Sequence, residues 1–480
     1  MGNGWKKAGL VGLGAVLGVL LSLNFSAMAD KEARLPIPYD DLQLFSAVFG
    51  RIKSDYVEPV SDDKLIKEAI NGMVHGLDPH SDFLDADAYR ELQVSTQGKF
   101  GGLGIEVGVE DGFIKVVSPI EDTPAFRAGI KAGDLIVKID DIATRGMALT
   151  EAVQKMRGKP GTQIVLTIAR KDLDAPLTIP LTREEIVVKS VKAKMIEPRY
   201  GYIRIRQFQE RTGDDLAKAI KDLYKQGDLA GLVLDLRTDP GGLLPTAVGV
   251  SAAFLPKDAL VVYTDGRTPD ARMRLSASKE NYLRSRGEDY LKDLPPGIKT
   301  VPMVVLVDGG TASASEIVAG ALQDHKRAVI MGTQTFGKGS VQTILPLGHN
   351  TGLKLTTARY YTPNGRSIQA KGIEPDVAVD DGRDLPSRLR EANLEHHLEV
   401  PGPGAPSDSG PNAKAKSAAA QTSGSVEGKP AAKSGSDTVL PPRFEFGASD
   451  DFQLQQALNQ LKGLPVMASS KAVSAQAKPQ

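Results

Sequence analysis

The sequence predicts a multidomain α/β protein, and three observations predict it. From residue 199 onward strand-like and helix-like segments alternate. Residues 100–185 are instead short β-rich runs broken by Gly and Pro, and residues 40–96 carry only helical periodicity. With 480 residues, at roughly 100–200 per domain, the chain has room for several cores.

Each element follows from its local pattern. Leu42, Phe45, Val48, Phe49 and Ile52 fall on one helical face, so residues 30–97 read as an N-terminal helical region whose stripe serves as core or as a dimerisation surface. Residues 105–109, 113–117, 135–139 and 163–169 read as strands and 150–157 as a helix, within a small β domain at 98–186. Residues 201–208, 214–225, 232–236 and 245–254 then run strand, helix, strand, helix, the order of βαβ units around a largely parallel sheet. Residues 301–307, 315–323 and 328–331 continue that order, and 340–347 with 353–361 read as a closing strand pair, giving a core at 187–385.

The two ends differ from this body. Lys6 and Lys7 precede an apolar run at 8–23, and Ala27-Met28-Ala29 offers a small-x-small cleavage pattern, so residues 1–29 read as a signal peptide, with an uncleaved membrane anchor as the alternative. Either reading puts the folded part outside the cytoplasm, with the bacterial periplasm as the expected location and the inner membrane as the place of any anchor. Residues 386–447 turn to Ala, Ser, Gly and Pro and read as a linker. In 448–464 Leu454, Ala457, Leu458 and Leu461 share a helical face, with Asp450 placed to N-cap and Gly463 to terminate; 465–480 reads as a disordered tail. Such a tethered helix needs the chain's own body or a partner to dock on.

Composition removes several chemistries. Basic and acidic residues balance at 59 each, which argues against a broad electrostatic grip on nucleic acid or anionic lipid. With no cysteine there is no thiolate nucleophile, Cys-bound metal or disulfide. No metal or cofactor is expected. The histidines show no His-Glu-x-x-His or other metal-binding spacing.

Candidate chemistry gathers at three turns. Gly309-Gly310-Thr311-Ala312-Ser313-Ala314-Ser315-Glu316 follows an apolar strand and opens a helix. Ser313 suits a nucleophile beside helix N-terminal amides, and Ser313-x-x-Glu316 equally suits a plain capping box. His325 lies twelve residues along the same helix, roughly 18 Å away at the α-helical rise, too far to serve as base. A buried lysine with a depressed pKa can replace histidine. Lys338, in Gly337-Lys338-Gly339-Ser340-Val341-Gln342, is the candidate, and Gln342 projects from the same face if this stretch is extended; a solvated loop lysine is the ordinary alternative. Residues 332–338 also match most of a phosphate-binding P-loop, but Gly339 replaces the required Ser or Thr and a β-like run follows. The third turn, Asp239-Pro240-Gly241-Gly242, ends a strand and exposes amides suited to a second oxyanion donor, or forms an ordinary βα turn.

Together these residues resemble the carboxyl-terminal processing, or tail-specific, serine proteases, over about residues 39–376. Gly76-Leu77-Asp78-Pro79-His80-Ser81, Phe100-Gly101-Gly102-Leu103-Gly104-Ile105, residues 125–140, Tyr360-Tyr361-Thr362-Pro363 and Gly365-Arg366-Ser367-Ile368 are similar to that family's blocks. The resemblance implies a ClpP/crotonase-like protease core with an inserted PDZ domain. It implies Ser313 as nucleophile, Lys338 as general base, Gln342 orienting that lysine, and Gly241, Gly242 and Ala314 as the oxyanion hole. It also implies capture of a substrate C-terminus at Gly102, Leu103, Gly104 and Ile105, where glycine-loop amides can bind a carboxylate and an added strand. Asp239 departs from the family, standing where Asn is more frequent. Protein substrates with accessible C-termini are the implied partners, with the PDZ domain gating access to Ser313. The N-terminal stripe and the helix at 448–464 suit a homo-oligomer, a dimer or higher, or an adaptor protein. The rival expectation is a PDZ-bearing scaffold or chaperone with an inactive core.

Overall fold

The computed structural model describes residues 37–171, 173, 175–283, 287–380, 390–400 and 446–469. The expected signal peptide, most of the expected linker and the tail past residue 469 lie outside the described residues. Helices α1 (Tyr39–Asp55) and α2 (Asp62–His75) open the described chain. Helix α1 buries no residue, so Leu42, Phe45, Val48 and Ile52 all stand exposed on their stripe.

Strand β1 (Asp82–Leu84) follows, then α3 (Ala86–Gln97) and β2 (Lys99–Gly102). Asp85 caps α3 by accepting from Ala88 N–H, and Gly98 ends it in the left-handed region. The N-terminal helical region thus also holds one short strand. Three residues carry no periodic signal, and β1 exists through pairing with a strand far along the chain.

Next come β3 (Ile105–Glu110), β4 (Phe113–Pro119), α4 (Pro124–Arg127), β5 (Leu135–Ile139), β6 (Ile142–Ala143), α5 (Leu149–Met156), β7 (Gln163–Ala169) and β8 (Leu177–Thr182). They form one antiparallel sheet, ordered β3-β4-β5-β7-β8, around a separate core of Ile114, Val116, Ile136, Ile139, Ile164, Leu166 and Ile168. Alternate burial along β7 matches a half-buried strand. Strand β9 (Glu184–Val187) pairs back with β2 and closes this unit at its base.

The remaining elements build the larger core. They are β10 (Val191–Glu197), β11 (Tyr200–Ile205), α6 (Thr212–Tyr224), β12 (Gly231–Asp235), α7 (Leu244–Phe254), β13 (Leu260–Gly266), β14 (Arg274–Ser276), α8 (Lys279–Tyr282), β15 (Met303–Val307), α9 (Ala314–Asp324), β16 (Val329–Gly332), β17 (Ser340–Leu347), β18 (Thr351–Tyr361), β19 (Val377–Ala378) and α10 (Phe452–Leu461). Strands β11, β12, β15, β16 and β19 run parallel, with β10 antiparallel at the edge. Every residue of β12 and β15 is buried, as continuous apolar runs require when both faces of a parallel sheet are covered. A second sheet, β1-β18-β13-β14 with β17 on β18, lies beside it.

Helices α6, α7 and α9 cover one face of the parallel sheet through Leu216, Ile220, Ala247, Val250, Ile317 and Val318. The C-terminal helix α10 covers the other, placing Leu454 and Ala457 against Val233, Val304, Leu306 and Met331. The chain's own body is therefore its dock. Asp451, not Asp450, caps this helix by accepting from Leu454 N–H, because Asp451 is also held by buried Arg237. Gly463 follows the last turn with φ of 69°.

Candidate active site

Two βα turns, after β12 and after β15, are stitched together at the C-terminal edge of the sheet. Asp308 Oδ1 accepts from Thr238 N–H at 2.7 Å and Gly310 N–H at 2.9 Å, and Thr311 Oγ1 donates to Leu236 O at 2.9 Å. Ala312 N–H donates to Asp239 O at 2.9 Å, and Ser315 Oγ donates to the same oxygen at 3.1 Å. These bonds hold Ser313 at φ 57° and ψ −115°. A non-glycine residue there carries strain of about 1–3 kcal/mol, a feature of functional turns between strand and helix.

The glycines are there because of close approach. A Cβ on Gly241 would lie 2.6 Å from Ala312 O, 2.7 Å from Ala314 N and 2.9 Å from Ser313 Cβ; one on Gly242 would lie 2.2 Å from Phe208 O. Gly241 thus packs against Ser313 and Ala314, and Gly242 lines the same cleft, but their amides differ. Gly241 N–H donates to Asp239 Oδ1 at 2.9 Å and is not free for a ligand. Among the described residues the amides of Gly242 and Ala314 have no protein acceptor, the latter as an orphan donor of the first turn of α9. The expectation for Gly241 is corrected accordingly: it shapes the turn, and its neighbour presents the amide.

Glu316 joins this turn to the lysine loop. Its Oε2 accepts from Ser313 N–H at 2.8 Å, the glutamate half of the capping box, and from Lys338 N–H at 2.9 Å. Its Oε1 accepts from Gly337 N–H at 2.8 Å and Thr335 Oγ1 at 2.5 Å. Burial pushes its carboxyl up to about 7 against the pull of these donors. The P-loop-like stretch is therefore organised around a carboxylate of its own chain, and strand β17, not a helix, follows it. His325 caps the far end of α9 and its Nε2 bonds Leu260 O at 2.7 Å, away from Ser313.

Lys338 is lowered to about 8, first by burial and then by the positive charge of Lys354, while Glu391, Glu316 and Asp78 oppose the shift. Among the described residues its Nζ makes no hydrogen bond or ion pair. Gln342 Nε2 donates to Ser340 Oγ at 3.0 Å and Thr356 Oγ1 at 3.1 Å, and among the described residues no hydrogen bond joins its acceptor Oε1 to Lys338 Nζ. The reason is local: β17 begins only at Ser340, and a bulge between Val341 and Gln342 breaks the alternation that would align 338 with 342. Thr356 Oγ1 in turn donates to Asp78 Oδ1 at 3.0 Å. Behind the lysine loop, Gly339 N–H donates to Gln369 Oε1, Gln369 Nε2 to Glu391 Oε1, and Glu391 Oε2 meets His80 Nε2 at 2.7 Å. Tyr360 OH donates to Lys338 O.

Ser313, Ala314, Lys338, Gln342, Gly241 and Gly242 all line one cleft of about 670 Å³, whose far wall is α3. Gly102, Leu103, Gly104 and Ile105 line a separate pocket of about 240 Å³ on the small β domain. There Arg157 stands over the Phe100 ring at 4.9 Å and pairs with Glu91 on α3. One helix therefore borders the cleft and holds a side chain of the pocket.

The sequence singles out Ser313, Lys338 and the glycine turn, which line one cleft, but not what lies behind them. The reach of Glu316 to the lysine loop and the Asp78, Thr356 and Glu391 links were not anticipated. The Gly76–Ser81 block was a signal for the second group; nothing local pointed Glu316 beyond its cap.

Residues 199–379 match the model of peptidase family S41, residues 115–170 that of a PDZ domain, and residues 15–88 that of the activating protease CtpB N-terminal domain. The chain is 48% identical over 396 residues to a carboxy-terminal-processing protease of Bartonella bacilliformis, covering 80% of this chain and 87% of that one. It is 37% identical over 332 residues to the carboxy-terminal processing protease CtpB of Bacillus subtilis, covering 68% and 65%. A solved photosystem II D1 C-terminal processing protease is 32% identical over 70% of this chain and 86% of its own, at a TM-score of 0.40.

Proposed function

Because the chain belongs to peptidase family S41, with the carboxy-terminal-processing serine proteases, we propose that it cleaves the C-terminal regions of protein substrates with a Ser313–Lys338 dyad. The observation that carries this reading is the Glu316 carboxylate, which binds the backbone amides of both residues and so fixes nucleophile and base in one cleft.

Neutral Lys338 takes the proton of Ser313 Oγ as that oxygen attacks the scissile carbonyl. The amides of Ala314 and Gly242 stabilise the tetrahedral oxyanion. The Lys338 ammonium then protonates the leaving amine, which departs and leaves an acyl ester on Ser313. Water attacks the ester, Lys338 again accepts the proton, and return of that proton to Ser313 releases the new C-terminus. Desolvation supports the assignment of the base, since a lysine lowered to about 8 is partly neutral at physiological pH. Gln342 acts through Ser340 and Thr356, bracing the strand that follows the lysine.

The PDZ pocket at residues 102–105 captures the substrate's terminal carboxylate, and α3 relays its occupancy to the cleft through Glu91 and Arg157. The leader at residues 1–29 supports export to the periplasm. Incubation of the mature chain with an unfolded protein, followed by mass spectrometry, tests the reading. Ser313→Ala and Lys338→Ala should each remove turnover with the fold intact; cleavage by Ser313→Ala at the wild-type rate rejects the dyad, and a wild-type chain that binds but never cleaves points to a scaffold.

A further inference from the structure

The turn that presents the Gly242 amide is held by a carboxyl group that the reaction above does not use. Asp239 is fully buried, at 0% exposure. Among the described residues its Oδ1 accepts from Gly241 N–H alone and its Oδ2 has no hydrogen-bond partner. An ionised carboxylate offers about four acceptor sites, so burial with a single donor is unfavourable to the charged form.

Of the charged groups on the surrounding elements, Arg204 favours the charged form but makes no hydrogen bond to Asp239, its Nη1 lying 3.5 Å from Asp235 Oδ2. Arg204 on β11 donates to Arg237 O and lies over the Phe446 ring at 3.9 Å. Arg237, after β12, is taken by Asp235 and Asp451. Asp308 is taken by Thr238 and Gly310, and Glu316 by the four donors described above. Lys338 lines the cleft together with Gly241 and Gly242. Burial raises the Asp239 carboxyl to about 8, with the Gly241 bond, Ser315 and Arg204 pulling the other way and Asp235 adding to the rise.

We propose that Asp239 works as a neutral carboxylic acid and that its ionisation switches the oxyanion hole off. The inference rests on the Ser313 reading above and adds a positioning residue to it. Gly241 approaches Ser313 so closely that an added Cβ would touch both Ser313 Cβ and Ala314 N. A carboxylate gripping the Gly241 amide therefore stands one peptide from where negative charge develops on the substrate oxygen. In a desolvated site two like charges at that separation oppose each other strongly. The protonated acid keeps Oδ1 as acceptor for Gly241 and removes the charge. An Asn side chain offers the same acceptor with no charge at any pH.

The test is the pH dependence of kcat/KM for the full chain on a peptide substrate, wild type against Asp239→Asn. Wild type should give a bell, rising as Lys338 loses its proton and falling tenfold per pH unit on the alkaline side. Asp239→Asn should keep the rise and lose the fall. A second readout needs no variant: a peptide boronic acid forms a negatively charged tetrahedral adduct on Ser313. Its affinity for wild type should weaken across the same alkaline range, while the affinity of the matching peptide without boron stays level. An alkaline fall that persists unchanged in Asp239→Asn, or a boronate affinity that does not weaken, overturns the proposal. A wild-type chain that neither cleaves nor forms an adduct on Ser313 overturns both it and the dyad reading.

Discussion

Replacing Glu316 with Gln tests the idea that one buried carboxylate aligns nucleophile and base. The side-chain volume is kept, but one oxygen becomes an NH₂ donor among four donors. The most tolerable orientation turns the NH₂ toward Thr335, whose hydroxyl can rotate to accept, and still leaves Gly337 N–H facing a donor. One charge-assisted bond of ~1.5–3 kcal/mol is lost, and the remaining three become neutral bonds each weaker by about 1 kcal/mol, together about 5 kcal/mol. In that orientation the Ser313 and Lys338 amides keep their bonds, each weaker by about 1 kcal/mol, so ~2 kcal/mol falls on the proposed dyad and amounts to a roughly 30-fold loss of kcat. KM should change little, because Glu316 is fully buried and touches no substrate. Steady-state cleavage of a peptide together with a denaturant titration measures both effects. A Glu316→Gln variant within threefold of wild type in kcat would refute the alignment argument.

Two further outcomes follow from buried charges. Lys338 binds its proton less tightly in the folded state, at about 8 against 10.5, so between those values the unfolded chain holds the extra proton. Stability relative to Lys338→Met should therefore rise with pH across that window, by about 3 kcal/mol in all, as read from denaturant midpoints at constant m. Asp451→Ala removes a bidentate partner of fully buried Arg237 and the cap of α10. It should lower stability by about 3–5 kcal/mol, and Asp451→Asn, which keeps one acceptor, by less; equal midpoints for all three chains would contradict the pairing.

What the sequence made legible follows from range of interaction. The strands β12 and β15 are readable because both faces are covered, so their residues form an apolar run broken only by Asp235 at the end of β12, and the helix start at Ser313 is readable because a cap is local. Strand β1 was not, since its three residues owe their conformation to the register Asp82 with Lys354 across most of the chain. The Gln342 expectation assumed an extended run from residue 338, and a bulge set by pairing with β18 broke it. The two glycines of the 241–242 turn were legible as a turn, but which amide is free depends on the Asp239 side chain, a contact no spacing rule encodes. Asp450 against Asp451 was decided in the same way, by Arg237 more than two hundred residues earlier.

The most direct test of the Ser313–Lys338 pair is the rate at which a fluorophosphonate modifies the protein as a function of pH, with the adduct located by peptide mapping. The account predicts one adduct, on Ser313, formed at a rate that climbs with pH toward about 8 as Lys338 becomes neutral, and almost no adduct in Lys338→Met. An adduct on another residue, or Ser313 modified as fast in Lys338→Met as in wild type, would contradict it.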